Sequence, residues 1–240
     1  MLSSLKSKLR HRRLKKKNIF VRSNSNNSSD VHDNDIIFLG KRSGIWPILK
    51  SELPKKDIIS YSFGLGNNIS WELEFIDNFD VEIFAYDPTP SSVDWIEQQT
   101  LPKKLHFFPI GLADYCGDMP FFIPRREGRF NYSVVKRASK YPNETVNCPV
   151  KDLKTLCSEN EHRHIDILKL DIEGSEITAL PSILNSGISI DQLLIEFHYN
   201  YNGISFDETI NLIYKLEEKG YQLFWLSERA YEFGFVKNKD

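Results

Sequence analysis

The run SFGLGNN at 62–68 holds the first residues of this 240-residue chain whose types and spacing suggest chemistry. Gly64 and Gly66 let a backbone turn tightly and approach a ligand that a Cβ would repel. Asp87 follows Gly66 by 21 residues, the interval at which an acid at the end of the next strand can take both hydroxyls of a nucleoside ribose. A dinucleotide site asks for a third glycine three positions after Gly66, where this chain has Ile69, and no GxxxxGK[ST] phosphate loop occurs. An acid-gripped ribose without a phosphate cradle suits a nucleoside cofactor that lacks phosphates, and S-adenosylmethionine is the one it suggests.

A second set of polar residues lies further along, in DIEGSE at 171–176 and EFHY at 196–199. Methyl transfer to a hydroxyl needs a base within hydrogen-bond reach of the acceptor proton. His198, with an ordinary pKa near 6.5, is the expected base, and Asp171 and Glu173 are the alternatives. The competing reading of His198 is a strand-end histidine bonded to a carbonyl. Asp171 and Glu173 share a strand parity with Lys169. Lys169 and Glu176 are expected to join a paired charge network beneath the site, because a buried charge must find a partner. Asp171 with Glu196 offers carboxylate oxygens to Mg²⁺, but two fall short of a defined octahedral site, so no metal is assigned.

These residues need a scaffold that brings distant segments together, and the hydrophobic pattern supplies one. DIISYSF (57–63), VEIFAYD (81–87), KLHFFPIGL (104–112), HIDILKLDI (164–172) and IDQLLIEFHY (190–199) are nearly continuous apolar runs, the pattern of strands buried on both faces of a parallel sheet. Helical spacing separates them: Ile69, Leu73 and Ile76 after the first, Thr89 and Pro90 opening a helix after the second, and Ile177, Leu180 and Leu184 after the fourth, with Pro181 starting a new turn. Ser205 and Glu208 form a capping-box pattern for a helix that Gly220 closes, and YQLFWLSE with AYEFGFVK reads as a terminal hairpin. The fold class is therefore α/β, an open and mostly parallel Rossmann-like sheet with helices on both faces, which binds ligands at the carboxyl ends of its strands.

Composition bounds the rest. The chain is 40% hydrophobic and 27% charged, with no apolar run near 18 residues, so a soluble α/β domain is expected over residues 35–240. Nine of the 31 Lys and Arg lie in the first 22 residues, where there is no Asp or Glu. With the linker SNSNNSSD at 23–30, residues 1–34 read as a basic, disordered arm. Its basic residues, 6–22, could instead meet nucleic acid or an anionic surface, or form a transit peptide. Three cysteines without a CxxC pair favour a reducing compartment, hence a cytoplasmic location.

The runs YSFGLGNNISWELEFI, FAYDPTPSSVDWI, LHFFPIGLAD, DILKLDIEGSE and LLIEFHY resemble, in order and spacing, the successive motifs of the FkbM-like class I methyltransferases, especially a methyltransferase-like subgroup with a serine in the glycine motif. The resemblance spans about residues 57–237 and implies a seven-stranded sheet of order 3-2-1-4-5-7-6 whose last strand is antiparallel. It implies S-adenosylmethionine-dependent transfer, usually to oxygen. It places the amino-acid end of the cofactor near Ser62, Gly64, Gly66 and Asn68, the ribose at Asp87 and the adenine beside Gly111 to Asp114. Ser62 departs from the acid that most class I enzymes keep there for the cofactor's ammonium. The expected acceptor is a hydroxyl of a small molecule or glycan. The loop 121–150, with Arg125, Arg126, Arg129, Lys136 and Arg137, is the expected seat of specificity and admits an anionic or sugar-acid acceptor. Two alternatives stay open: a nucleic-acid methyltransferase, although LDIEG stands where base N-methylating enzymes usually carry [DNS]PP[YFW], and a non-catalytic or nicotinamide-binding Rossmann-like domain.

Overall fold

A computed structural model describes residues 15–18, 20–22, 35–124, 128–136 and 144–238. Its spine is a seven-stranded sheet built from the five runs that read as buried strands and from the terminal hairpin. These are β3 (Ile58–Phe63), β4 (Val81–Tyr86), β5 (Leu105–Phe108), β9 (His164–Leu170), β10 (Ser189–Glu196), β11 (Tyr221–Leu226) and β12 (Glu232–Lys237). They lie in the order β11-β12-β10-β9-β3-β4-β5. The order reproduces the expected 3-2-1-4-5-7-6, with β12 antiparallel to both neighbours and the other pairs parallel.

Side-chain alternation splits the core into two layers. Leu168 and Leu170 of β9 face one layer with Phe84 and Tyr86 of β4, against α3 (Leu153–Glu159), α4 (Glu176–Leu184) and α5 (Phe206–Glu218). Ile167 faces the other with Ile83 and Ala85, against α1 (Ser70–Asn78) and α2 (Pro90–Ile96). Part of that second layer is a hairpin the hydrophobic pattern did not single out, β1 (Ile36–Leu39) and β2 (Trp46–Leu49). It is pinned by Gln192, whose buried amide exchanges both hydrogen bonds with the Leu49 backbone at 2.9 and 3.0 Å. Among the described residues no helix is long and apolar enough to cross a membrane.

Several local expectations hold. Thr89 stands at the N-cap of α2 with Pro90 in its first turn, Ser205 and Glu208 close a complete capping box on α5, and Gly220 ends that helix region at φ +79°. The terminal hairpin has no glycine at its turn, and Ala230 takes the positive φ instead.

Three expectations are corrected. The third run is not one strand: Pro109, which has no N–H to give a ladder, divides β5 from the short β6 (Gly111–Leu112). The latter joins a separate sheet with β7 (Gly117–Phe122) and β8 (Thr145–Lys151). Pro181 lies inside α4 and starts no new turn. The arm is not wholly free either, since residues 15–18 and 20–22 are helical and Val21, 1% exposed, belongs to the first layer of the core. Asn18 donates to the Ser227 carbonyl at 2.7 Å and Arg22 to that of Leu226 at 2.9 Å, while the Lys17 ammonium lies 4.0 Å from the Tyr199 ring centre. The basic count concealed a short apolar stretch, and burial of Val21 anchors it.

Candidate active site

The crevice opens where β3, β4 and β9 end. Gly64 follows β3 at φ +82°, and a Cβ there would lie 1.7 Å from the carbonyl oxygen of Asp171. Two hydrogen bonds lace the strand ends at this point, from the Gly64 N–H to Tyr86 O at 3.0 Å and from the Asp171 N–H to Phe63 O at 3.1 Å. Only a glycine allows the three backbones to converge so closely. Gly66, at φ +55°, turns its N–H to Asp87 Oδ2 at 2.9 Å. The other oxygen of Asp87 accepts from the Thr89 N–H at 3.0 Å and the Thr89 hydroxyl at 2.7 Å. Burial raises the Asp87 carboxyl above its usual value, against the pull of these bonds from Thr89 and Gly66. An acid held by three donors is aimed and rigid, and it keeps lone pairs for a ligand.

Gly64, Gly66, Asn68, Asp87 and Gly111 all border one cavity, with Trp46 and Tyr86 among its aromatic walls. Gly111 packs closely there, since a Cβ would meet Pro88 at 2.9 Å and Val150 at 3.1 Å. Asn68 also accepts the Ser70 N–H at 3.1 Å and so fixes the start of α1. Two expected residues stand outside that lining. Asp114 is exposed beyond β6, a consequence of the break at Pro109. Ser62 is buried beneath the floor, donating to Glu72 Oε1 at 2.6 Å.

Glu72 is a residue the sequence reading missed. It is buried on α1, and Lys169, which does line the cavity, donates to Glu72 Oε1 at 3.2 Å and to Ser62 Oγ at 3.1 Å. An acid thus does stand beside position 62, from the helix ten residues later, although it lies beneath the cavity and not in its lining. Its signal was present but weak, an acid flanked on one helix face by the buried Trp71 and Phe75. Lys169 and Glu176 do find buried partners, as expected, but in two separate pairs: Lys169 with Glu72, and Glu176 with His198.

The polar ends of β9 and β10 meet beside the cavity. Asp171 and Glu173 line it, and Glu173 accepts the Tyr201 hydroxyl. The buried His198 ring bonds Glu176 Oε1 through Nδ1 at 2.8 Å, while Nε2 faces Glu173 at 3.5 Å, Asp171 at 3.7 Å and Glu196 at 3.8 Å. Burial works against the imidazolium, yet Glu176, Glu173 and Asp171 outweigh it and raise the His198 pKa to about 10. Burial lifts Asp171 to about 7, against the attraction of His198. It lifts Glu196 to about 9, with Asp171 adding to the rise. A neutral imidazole titrating near 6.5 was expected; the surrounding carboxylates instead push its titration upward.

The family model of the FkbM methyltransferase domain matches residues 14–223. This chain belongs to the FkbM methyltransferase family. Among solved structures, methyltransferase FkbM from Methylobacillus flagellatus is similar at 14% identity and a TM-score of 0.47, covering 78% of this chain and 46% of its own. The FkbM-family chain therefore spans less than half the length of that relative. The fibrillarin pre-rRNA processing protein of Methanococcus jannaschii is similar at 7% identity, covering 90% and 88% of the two chains with a TM-score of 0.45. Human N-acetylserotonin methyltransferase, solved in complex with SAM, is similar at 12% identity, covering 75% and 48% with a TM-score of 0.33. No curated protein matches the sequence.

Proposed function

We propose that this FkbM-family chain is an S-adenosylmethionine-dependent methyltransferase that methylates a hydroxyl of a small molecule or glycan. The observation that carries the reading is the cavity at the carboxyl ends of β3 and β4, where backbones converge at Gly64 and Asp87 stands ready for a ribose. The lining fits a nucleoside group: Asp87 presents a carboxylate aimed by three donors, and Trp46 and Tyr86 supply aromatic wall. Ile69, buried in the place of a third glycine, is consistent with a ligand that carries no pyrophosphate.

Asp87 would hold the ribose hydroxyls. Lys169, at the wall between Trp46 and Trp71, would meet the cofactor's carboxylate. When bound, S-adenosylmethionine supplies a methyl group on a sulfonium that leaves readily. The chain's task is alignment and proton removal. Asp171 and Glu173, which border the cavity at the end of β9, are the groups to take the acceptor's proton. Lys17 and Arg22 are engaged within the fold, so the basic arm offers less to a nucleic acid than its charge count implies.

Calorimetric titration tests the reading. Asp87→Ala should weaken S-adenosylmethionine binding by about ten- to a hundred-fold, the loss of one to two charge-assisted bonds. Unchanged affinity in a folded variant, or saturable binding of NAD by the unaltered chain, would overturn it.

A further inference from the structure

Four carboxylates, those of Asp171, Glu173, Glu176 and Glu196, converge on the single imidazole of His198. Such a cluster can be a plain charge network, in which case each polar atom should close a hydrogen bond. His198 does so on one side only. Its Nδ1 bonds Glu176 Oε1 at 2.8 Å, and Glu176, fully buried, is itself fixed by the N–H groups of Ile172 at 3.2 Å and Gly174 at 3.1 Å. Its Nε2, on a ring only 6% exposed, faces three carboxylates whose nearest oxygens stay 3.5 to 3.8 Å away, beyond hydrogen-bond reach.

We propose that Asp171, Glu196 and His198 form a binding site for a divalent transition-metal ion at the acceptor end of the crevice. The three ligand atoms lie within 4.8 Å of one another, close to the ~4.2 Å that spans two opposite ligands of an ion bound at about 2.1 Å. The Glu176–His198 bond is the arrangement that orients a metal-binding imidazole and fixes which ring nitrogen faces the ion, which binds there by displacing the Nε2 proton. One nitrogen with two carboxylate oxygens favours Mn²⁺, Fe²⁺ or Zn²⁺ over the all-oxygen shells of Mg²⁺ or Ca²⁺. The ligands sit on adjacent parallel strands, where Leu170 and Ile195 are register partners, and Asp171 also borders the cavity. An ion there would reach an acceptor oxygen and make its proton more acidic, reducing the demand on a protein base.

The same strand pair offers an internal control. His164, Asp166 and Asp191 gather at its amino end, but His164 is 45% exposed and Asp166 is committed to the Ile59 N–H at 2.8 Å.

This inference deepens the proposed activity and rests on it for its purpose, but its test does not. Chelator-treated full-length protein is titrated with Mn²⁺ alone, followed by calorimetry and by the paramagnetic signal of free Mn²⁺. One saturable site is expected. Asp171→Asn and Glu196→Gln should each weaken it at least tenfold, and Glu176→Gln by about ten- to a hundred-fold through the loss of imidazole orientation, while His164→Gln leaves it unchanged. Absence of saturable binding below about 1 mM in the folded protein overturns the site. So does binding that survives Asp171→Asn with Glu196→Gln but is lost in His164→Gln. Should Glu196→Gln fail to fold, Asp171→Asn carries the same test. If S-adenosylmethionine binds and Mn²⁺ does not, the metal site alone falls; if Mn²⁺ binds and S-adenosylmethionine does not, the cofactor reading falls.

Discussion

Over β3 and β4 the crevice is shaped by backbone: Gly64 lets three strand ends meet, and the Asp87 carboxylate is tied to the N–H groups of Gly66 and Thr89 within 21 residues of chain. Over β9 and β10 it is shaped by ionisable side chains whose partners come from separate elements. His198 follows β10, Glu176 opens α4, and Lys169, at the cavity wall, pairs with Glu72 on α1. The first half is held by close local contacts that tolerate little added volume. The second is held by charges that tolerate little unpairing. Each half should therefore fail under a different kind of substitution.

The sharpest contrast is between the two glycines of the first half. In Gly64→Ala a Cβ would lie 1.7 Å from Asp171 O, and relieving it means parting β3 from β9. Left-handed strain of about 1–2 kcal/mol and overpacking of about 1–3 kcal/mol add to a loss on the order of 2–5 kcal/mol. That should appear as a melting temperature lower by roughly 4–20 °C. In Gly66→Ala the nearest neighbour is Phe130 Cβ at 3.6 Å, so only the strain of about 1–2 kcal/mol remains. Equal melting temperatures for the two variants would show that backbone convergence does not govern this half.

Charge pairing is tested next, at the seam between the halves. Lys169→Met strands the buried Glu72 carboxylate and should cost about 3 kcal/mol. Glu72→Gln in the same chain should recover part of that loss, with a coupling of at least ~1 kcal/mol in denaturant unfolding. Strictly additive losses would mean that the 3.2 Å contact between the two contributes nothing.

What the sequence disclosed follows the same division. The strands, their order through the family resemblance, the glycine turn and the acid at Asp87 were legible because each depends on spacing within a few tens of residues. The partners of Lys169 and Glu176 were not, because parity along a strand says which way a side chain points and not what waits there. Glu72 lies 97 residues from Lys169, and no local pattern joins them. Asp114 was misplaced for a local reason, the strand break at Pro109, and Val21 because charge count outweighed two apolar neighbours. The loop residues Arg125, Arg126 and Arg137, read as part of an acceptor site, lie outside the described residues.

The smallest effect concerns whether the acidic half is buttressed by residues ahead of the first strand. Lys17 lies over the ring of Tyr199, the residue after His198, Phe20 meets Phe206 edge-on, and Val21 enters the core beneath them. Val21→Ala removes two methyl groups from a buried site, about 1.5 kcal/mol at ~0.8 kcal/mol each, and should lower the melting temperature by roughly 3–6 °C. Lys17→Ala, which removes half-buried cation–π contacts to Tyr199 and Phe206 worth about 0.5–1 kcal/mol, should lower it less. If the segment supports only the acidic half, Val21→Ala should leave S-adenosylmethionine affinity near that of the unaltered chain, because Gly64 and Asp87 are held by other contacts. A variant that melts unchanged would return residues 15–22 to the role of a free arm, and one that loses cofactor binding along with stability would erase the distinction between the two halves.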